Sequence, residues 1–293
     1  MVAKVATPGS AIELTFLGTR GEIAASTRQH RRHSALLIRY KNARIMLDCG
    51  ADWLGRLHAV APTAIVLTHA HRDHAGGLAD GAPCPVYATR QTLRLLRRFP
   101  IRDCRTISVR QTTTIGGVTF KAYPVQHSIR APSVGYRVSA GTECFFYLPD
   151  VAKLPNPAKA LDGVNIYIGD GATLRRPILR RRNGALIGHA PIATQLVWCG
   201  KGNVQKAVFT HCGSPIVRGD FRALNAMVRG LGREHGIEAR LARDGDRIRF
   251  ASSDGSAGAA TCDSRQIPGR NATTPGMSAG GMAARNDADR ICR

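Results

Sequence analysis

Four side chains able to bind a metal fall within six residues in His69-Ala70-His71-Arg72-Asp73-His74. They follow an apolar run, residues 64–68, that reads as a buried strand. His69 and His71 are two apart, so in extended backbone their imidazoles leave the same side of the chain. Asp73 and His74 then sit where the chain turns towards a helix, aimed at a neighbouring point. One cation cannot use all four donors and keep room for water, whereas two cations roughly 3.5–4 Å apart can. A single histidine here would be an ordinary loop residue; the cluster behind a strand calls for a metal.

Other candidate donors also follow apolar runs. His127 comes after residues 120–125, Asp150 after Phe145-Phe146-Tyr147-Leu148-Pro149, His211 after Val208-Phe209-Thr210, and Asp48 after Ile45-Met46-Leu47. His189 stands in Gly188-His189-Ala190-Pro191, just ahead of a segment that reads as a helix through Gln195 and Trp198.

The H-x-H-x-D-H run and the later donors, in this order, resemble the metallo-β-lactamase superfamily over roughly residues 12–215. The resemblance implies an α/β fold, a four-layer αβ/βα sandwich with metals at the edge between two sheets. It does not fix the chemistry, because one fold hosts many. It implies His69, His71 and His127 on one metal, Asp73, His74 and His211 on a second, and Asp150 bridging both. Asp48 matches a strand-end aspartate that orients a ligand histidine. Nitrogen and carboxylate donors suit two divalent ions, zinc first, with manganese or iron compatible. Two cations lower the pKa of a shared water, so that a hydroxide can attack phosphorus or a carbonyl carbon near neutral pH.

The Gly188-His189 segment is similar to one in the phosphodiesterase branch of the superfamily, which includes tRNase Z and the cyclic phosphodiesterase of phosphonate breakdown. The resemblance makes Asp73 and His189 the candidate catalytic residues, His189 contacting phosphate and aiding the leaving group. A helix N-terminus beside it would add backbone N–H donors for an anion. The chain departs from tRNase Z in one respect. That family carries a long arm between the third-motif histidine and the bridging aspartate, whereas His127 and Asp150 are about 23 residues apart and filled by a hairpin. A cyclic or short phosphodiester, or an exposed nucleic-acid end, fits this better than tRNA.

Strands and helices must place these donors. Residues 12–17, 35–40 and 43–48 read as strands, with a turn at Lys41-Asn42. Residues 112–125 read as a hairpin turning at Gly116-Gly117, and residues 136–138 and 144–148 as another turning at Ala140-Gly141. Residues 164–168, 207–210 and 247–250 read as further strands, and residues 89–98, 194–198 and 221–235 as helices. Their alternation is that of a layered α/β domain over residues 1–250. Residues 251–293 lack a periodic apolar face and read as a disordered low-complexity tail.

The chain of 293 residues carries a net charge of +22 and a pI near 10.8. Such a charge attracts polyanions, nucleic acid above all; heavy arginine use alone would also produce it. Arg28, Arg31 and Arg32 lie in an early loop, and Arg175, Arg176, Arg180, Arg181 and Arg182 in what reads as a loop before His189, where they could bind substrate phosphate. No signal-peptide pattern opens the sequence and no run has the length of a membrane span, so a cytoplasmic protein without membrane partners is expected. A homo-oligomer is compatible with the sequence. The eight cysteines form no C-x-x-C pair and read as small apolar residues, with Cys212 singled out because it adjoins His211.

Two other functions share this chain. A thioester or lactone hydrolase would use the same attack but leave the arginines and His189 unexplained. A nucleic-acid-binding protein with little turnover would not need the full donor set.

Overall fold

The computed structural model describes residues 11–250. Two seven-stranded sheets face each other. The first contains β1 (Glu13–Gly18), β2 (Ala35–Tyr40), β3 (Ala43–Leu47), β4 (Ala64–Val66), β5 (Val86–Ala88) and β6 (Cys104–Thr106) in that order, with β16 (Arg247–Arg249) beside β1. The second runs β15 (Glu238–Leu241), β14 (Lys206–Thr210), β11 (Ile166–Asp170), β10 (Glu143–Tyr147), β9 (Ser133–Ala140), β8 (Val118–Val125) and β7 (Thr112–Ile115). A separate ribbon pairs β12 (Ile178–Arg182) with β13 (Ala185–His189). Among the described residues seven α-helices complete the fold: α1 (Leu57–Val60), α2 (Arg72–Ala75), α3 (Arg90–Leu95), α4 (Pro157–Leu161), α5 (Ile192–Lys201), α6 (Ser214–Val217) and α7 (Phe221–Glu234).

The period of two along each strand sorts side chains into layers. In β3, Ile45 and Leu47 face the second sheet, while Met46 packs under the helices. In β10, Phe145 and Tyr147 face the first sheet, and Phe146 turns to the other side. Helices α4 to α7 cover the outer face of the second sheet, and α1 to α3 that of the first. Central strands are therefore buried on both faces, which is why they read as unbroken apolar runs. This helix–sheet–sheet–helix stack is the expected four-layer sandwich.

Most expected elements stand within a residue or two of their positions. The second hairpin turns one residue later, at Gly141-Thr142, and the helix expected over residues 89–98 stops at Leu95. Strands β5 and β6 have three residues each, too few for a period to show. Ile178–Arg182 is a strand and not the loop its charge suggested, because its partner β13 satisfies the backbone while the side chains stay in solvent. Among the described residues no helix is long and apolar enough to cross a membrane. The tail expected over residues 251–293 lies outside the described residues.

The loop between β1 and β2 is tied to the body of the domain by a buried polar network. Thr19 donates to Asp244 Oδ1 at 2.7 Å and accepts from His30 Nδ1 at 2.8 Å. Burial lowers the His30 pKa to about 4. The unfolded chain therefore takes up this proton first as pH falls, and the contribution to stability present above pH 6.5 is lost between pH 6.5 and 4. At pH 5 the loss from this one residue is about 2 kcal/mol. His30→Gln, which keeps a donor for Thr19 but does not titrate, should shrink the drop in urea midpoint between pH 7.5 and 5. An unchanged drop would show that His30 is protonated in the folded protein.

Candidate metal centre

The donors converge because they end strands that open on one edge of the sandwich, Asp48 after β3, His69 to His74 after β4, His127 after β8, Asp150 after β10, Asp170 closing β11 and His211 after β14. Carboxyl ends of strands in open α/β sheets are where ligands bind. Asp48 and His211 adopt left-handed backbone, with φ of 58° and 53°. That costs free energy and re-aims both side chains into the site.

His69 Nε2 lies 2.9 Å from His71 Nδ1, and His127 Nε2 lies 3.3 Å from the same atom. His211 Nε2 lies 3.0 Å from Asp73 Oδ2, and His74 Nε2 3.4 Å from it. Asp150 Oδ2 stands between the two sets, 3.5 Å from His69 Nε2, 3.5 Å from His74 Nε2 and 3.7 Å from His211 Nε2. His69, His71, His127 and Asp150 thus form one group that could hold a metal, and Asp73, His74, Asp150 and His211 another. A third grouping joins Asp150 and His211 to Asp170 and His189.

The ring orientations are set from behind. Asp48 accepts from His74 Nδ1 at 2.9 Å, from the Thr68 amide at 2.8 Å, and from the hydroxyls of Thr68 and Tyr147. The Thr68 hydroxyl, donating to Asp48, accepts from His69 Nδ1 at 3.0 Å. Both Nε2 atoms are left to the cluster. His127 Nδ1 is 3.1 Å from the Gly188 carbonyl oxygen, which frees its Nε2. Outer partners of this kind orient metal ligands and raise their affinity.

The donor chemistry fits divalent cations. Asp48, Asp73, Asp150 and Asp170 are all buried, and among the described residues their only ion-pair partners are histidines. Carboxylates buried this close together repel one another, and their charge is costly unless it is fully compensated. The buried His74 Nε2 makes no hydrogen bond. Burial lowers the pKa of His69 well below, and that of His71 to about 4, so both rings are neutral and ready to ligate. Burial opposes the charge on His211 too, but Asp150, Asp170 and Asp73 push its pKa up to about 9. The aspartates create a field that favours a cation at this point.

Sequence reasoning missed Asp170. It is fully buried at the end of β11 and accepts from His189 Nδ1 at 2.9 Å, from the Val151 amide and from the Ala172 amide. Gln195 clamps its backbone, accepting from its N–H at 2.9 Å and donating to its C=O at 2.7 Å. A signal was present: Ile166-Tyr167-Ile168-Gly169-Asp170 has the form of an apolar run ending in aspartate that also marks Asp48. Burial disfavours the charge on His189, yet Asp170 and Asp150 outweigh it and push its pKa up to about 11. His189 faces a cleft of about 560 Å³. Residues 21–23, Ile178 and residues 213–215 wall that cleft.

His189 does not open a helix, as its sequence context suggested. It closes β13, and α5 starts at Ile192 after Pro191. The first amides of α5 are already used, Ile192 N–H by the Thr173 carbonyl and Ala193 N–H by that of Leu174. The expected anion site at that helix end is absent because the preceding loop folds back over it. Arg175 pairs with Glu234 at 3.3 Å, and Arg32 stacks on Trp53 at 4.7 Å. Arg28, Arg31, Arg176 and Arg181 are exposed and line none of the clefts beside the site. Cys212 is fully buried and burial pushes its thiol pKa up, so it packs and does not react.

Gly188 joins the ribbon to the centre. Its φ is 109°, and a Cβ there would meet the Ile178 carbonyl oxygen at 2.0 Å. Its amide donates to the His127 carbonyl and its own carbonyl receives His127 Nδ1. Gly188→Ala should weaken metal binding about 10- to 100-fold, the usual effect of losing an outer partner. Metal competition with a chromophoric chelator measures this; an unchanged affinity would mean that Gly188 does not hold His127.

The sequence profile of the beta-lactamase superfamily domain matches residues 43–212, which contain all of these donors. The chain belongs to the beta-lactamase superfamily. Within it, the chain is similar to a ribonuclease Z from Mycolicibacterium paratuberculosis, at 24% identity over 266 residues, 73% of this chain and 92% of that protein. A ribonuclease Z from Methanopyrus kandleri is 25% identical over 142 residues, 43% of this chain and 49% of that protein, so the chain spans about half the length of this relative. Among solved structures, a diphosphatase of the PhnP family superposes with a TM-score of 0.63 at 22% identity, covering 82% of this chain and 97% of the other. The fold and the donor set of this superfamily member are those of a metal-dependent hydrolase.

Proposed function

We propose that the chain is a phosphodiesterase working with two divalent cations, zinc by preference for this nitrogen and carboxylate set. His69, His71 and His127 would hold one ion, Asp73, His74 and His211 the other, and Asp150 would bridge them. When bound, the pair supplies an activated water and screens developing negative charge.

One observation carries the choice of a phosphodiester. His189 lies outside both three-residue sets, fixed through Nδ1 on the buried Asp170 and presented to the cleft. Held against the Asp170 carboxylate, the ring would carry a proton and set a positive charge against a diester. Its Nε2 can hand a proton to a departing alkoxide, a service typically worth 10²–10⁴-fold in rate. A thioester brings no such charge, and its thiolate leaves with little help. Asp170 holds the ring and its charge, and Gln195 holds Asp170. The similarity to proteins named ribonuclease Z and diphosphatase supports the same choice.

Metal-loaded protein offered bis(p-nitrophenyl) phosphate, p-nitrophenyl phosphate and a thioester should hydrolyse the diester fastest. Thioester turnover without diester turnover would make the chain a thioester or lactone hydrolase on this fold. No turnover together with tight nucleic-acid binding would make it a binding protein.

A further inference from the structure

The ribbon β12–β13 pairs with neither sheet, and all five residues of β12 are exposed. Its register places Ile178 opposite His189, Arg180 opposite Ile187 and Arg182 opposite Ala185. Residues paired across an antiparallel ribbon share a face, as do residues two apart on one strand. Arg180 and Arg182 therefore stand on the face that carries His189, about 7 and 13 Å further out at the usual rise per residue. Arg181 stands on the opposite face, with Leu186.

The clefts follow the same division. Arg180 and Arg182, but not Arg181, line a cleft of about 600 Å³ together with Arg130 and the site residues His71, His127 and His189. Arg130 also lines the next cleft, where Arg94 of α3 and the following Arg97 and Arg98 are found. A row of arginines thus runs from the tip of the ribbon past the edge of the metal centre to α3. All six are exposed, and among the described residues none has a carboxylate within 4.0 Å. Exposed arginines outside the row, Arg56, Arg176 and Arg181 among them, also lack an acid, so it is the shared clefts that mark these six. Six unneutralised cations in one row repel each other, a cost that a polyanion laid along them would remove.

We propose that Arg180, Arg182, Arg130, Arg94, Arg97 and Arg98 form a track that holds a nucleic-acid strand by its phosphates and lays it across the metal centre. The substrate is then a chain of linked phosphodiesters and not a small cyclic one. This rests on the phosphodiesterase function proposed above for the choice of reaction, but not for the binding. The track runs through clefts, which suits a strand and not the flat surface of a bilayer. Its lining includes no Phe, Tyr or Trp on which bases could stack, so binding is carried by phosphate charge and is tolerant of sequence.

The test is fluorescence anisotropy of a labelled single strand of ~12 nucleotides with a phosphorothioate backbone, on full-length metal-loaded protein over a range of salt. With six contacts the slope of log K against log salt should be about −4, at about 0.7 per phosphate for single strands. R180A/R182A should weaken binding about tenfold and bring the slope to about −3. R130A and R97A/R98A, on separate elements, should act in the same direction, so the result does not hang on the folding of the ribbon. R181A removes the same charge from the other face and should change affinity less than about threefold. Loss with R181A equal to that with Arg180 or Arg182 would reduce the effect to bulk charge and overturn the track. So would capture by anionic vesicles without affinity for the strand. Wild-type protein that cleaves bis(p-nitrophenyl) phosphate while the variants bind the strand normally defeats the track alone. Variant-sensitive binding without diester cleavage by wild type supports the track and defeats the phosphodiesterase function.

Discussion

Asp150→Ala should abolish metal binding and hydrolysis together. The carboxylate is buried at the meeting point of both donor groups, with Oδ2 3.5 Å from His69 and His74 Nε2 and 3.7 Å from His211 Nε2. Its Oδ1 lies 2.9 Å from His127 Nδ1 and 3.0 Å from that of His189. No other side chain belongs to both groups that could hold a metal and contain the H-x-H-x-D-H donors. Without it five imidazoles face one another around a gap, and neither ion keeps its shared anion. Elemental analysis should show metal content falling from about two ions per chain to well under one, with diester turnover reduced at least about 10³-fold. Asp150→Asn keeps the shape and removes the charge, and should lose metal too, which separates the loss of the anion from the creation of a cavity. A variant that keeps both ions would mean that Asp150 does not bridge them.

His189→Ala has the second-largest expected effect and the opposite signature. Metal content should stay at the wild-type level while turnover falls about 10²- to 10⁴-fold. The distinction is a sharp one, because His189 also belongs to the third grouping, with Asp150, Asp170 and His211. If that grouping is a metal site, the variant loses metal and the role given to His189 falls. The nature of the leaving group gives a further check. A proton donor matters most for a departing alkoxide and least for nitrophenolate, so the defect should be larger on an alkyl phosphodiester than on bis(p-nitrophenyl) phosphate. Asp170→Asn removes one of the two carboxylates beside the His189 ring and should reproduce part of the same defect.

These side chains were legible to different degrees, for physical reasons. His69, His71, Asp73 and His74 sit together because one strand end and one turn place them, so a local pattern reveals them. Asp48, His127, Asp150 and His211 come from distant segments, but each follows an apolar run, and the layered fold brings such run ends to one edge. Asp170 follows a run just as clearly, yet its role depends on pairing with His189 across the site, and a lone aspartate shows no partner in sequence. The ribbon was obscure because Ile-Leu-Arg-Arg-Arg has neither the alternation of a half-buried strand nor the apolar run of a central one. Only the register shows which arginines share a face with His189. The anion site expected at the start of α5 is absent for a related reason, since the Thr173 and Leu174 carbonyls that occupy its amides come from a loop distant in sequence.

The most direct measurement is a metal titration of protein stripped of metal, followed by hydrolysis of bis(p-nitrophenyl) phosphate at each step. Activity should be absent without metal and rise to its plateau as zinc approaches about two equivalents per chain. A plateau at one equivalent, or diester hydrolysis that needs no metal, would contradict a two-cation phosphodiesterase.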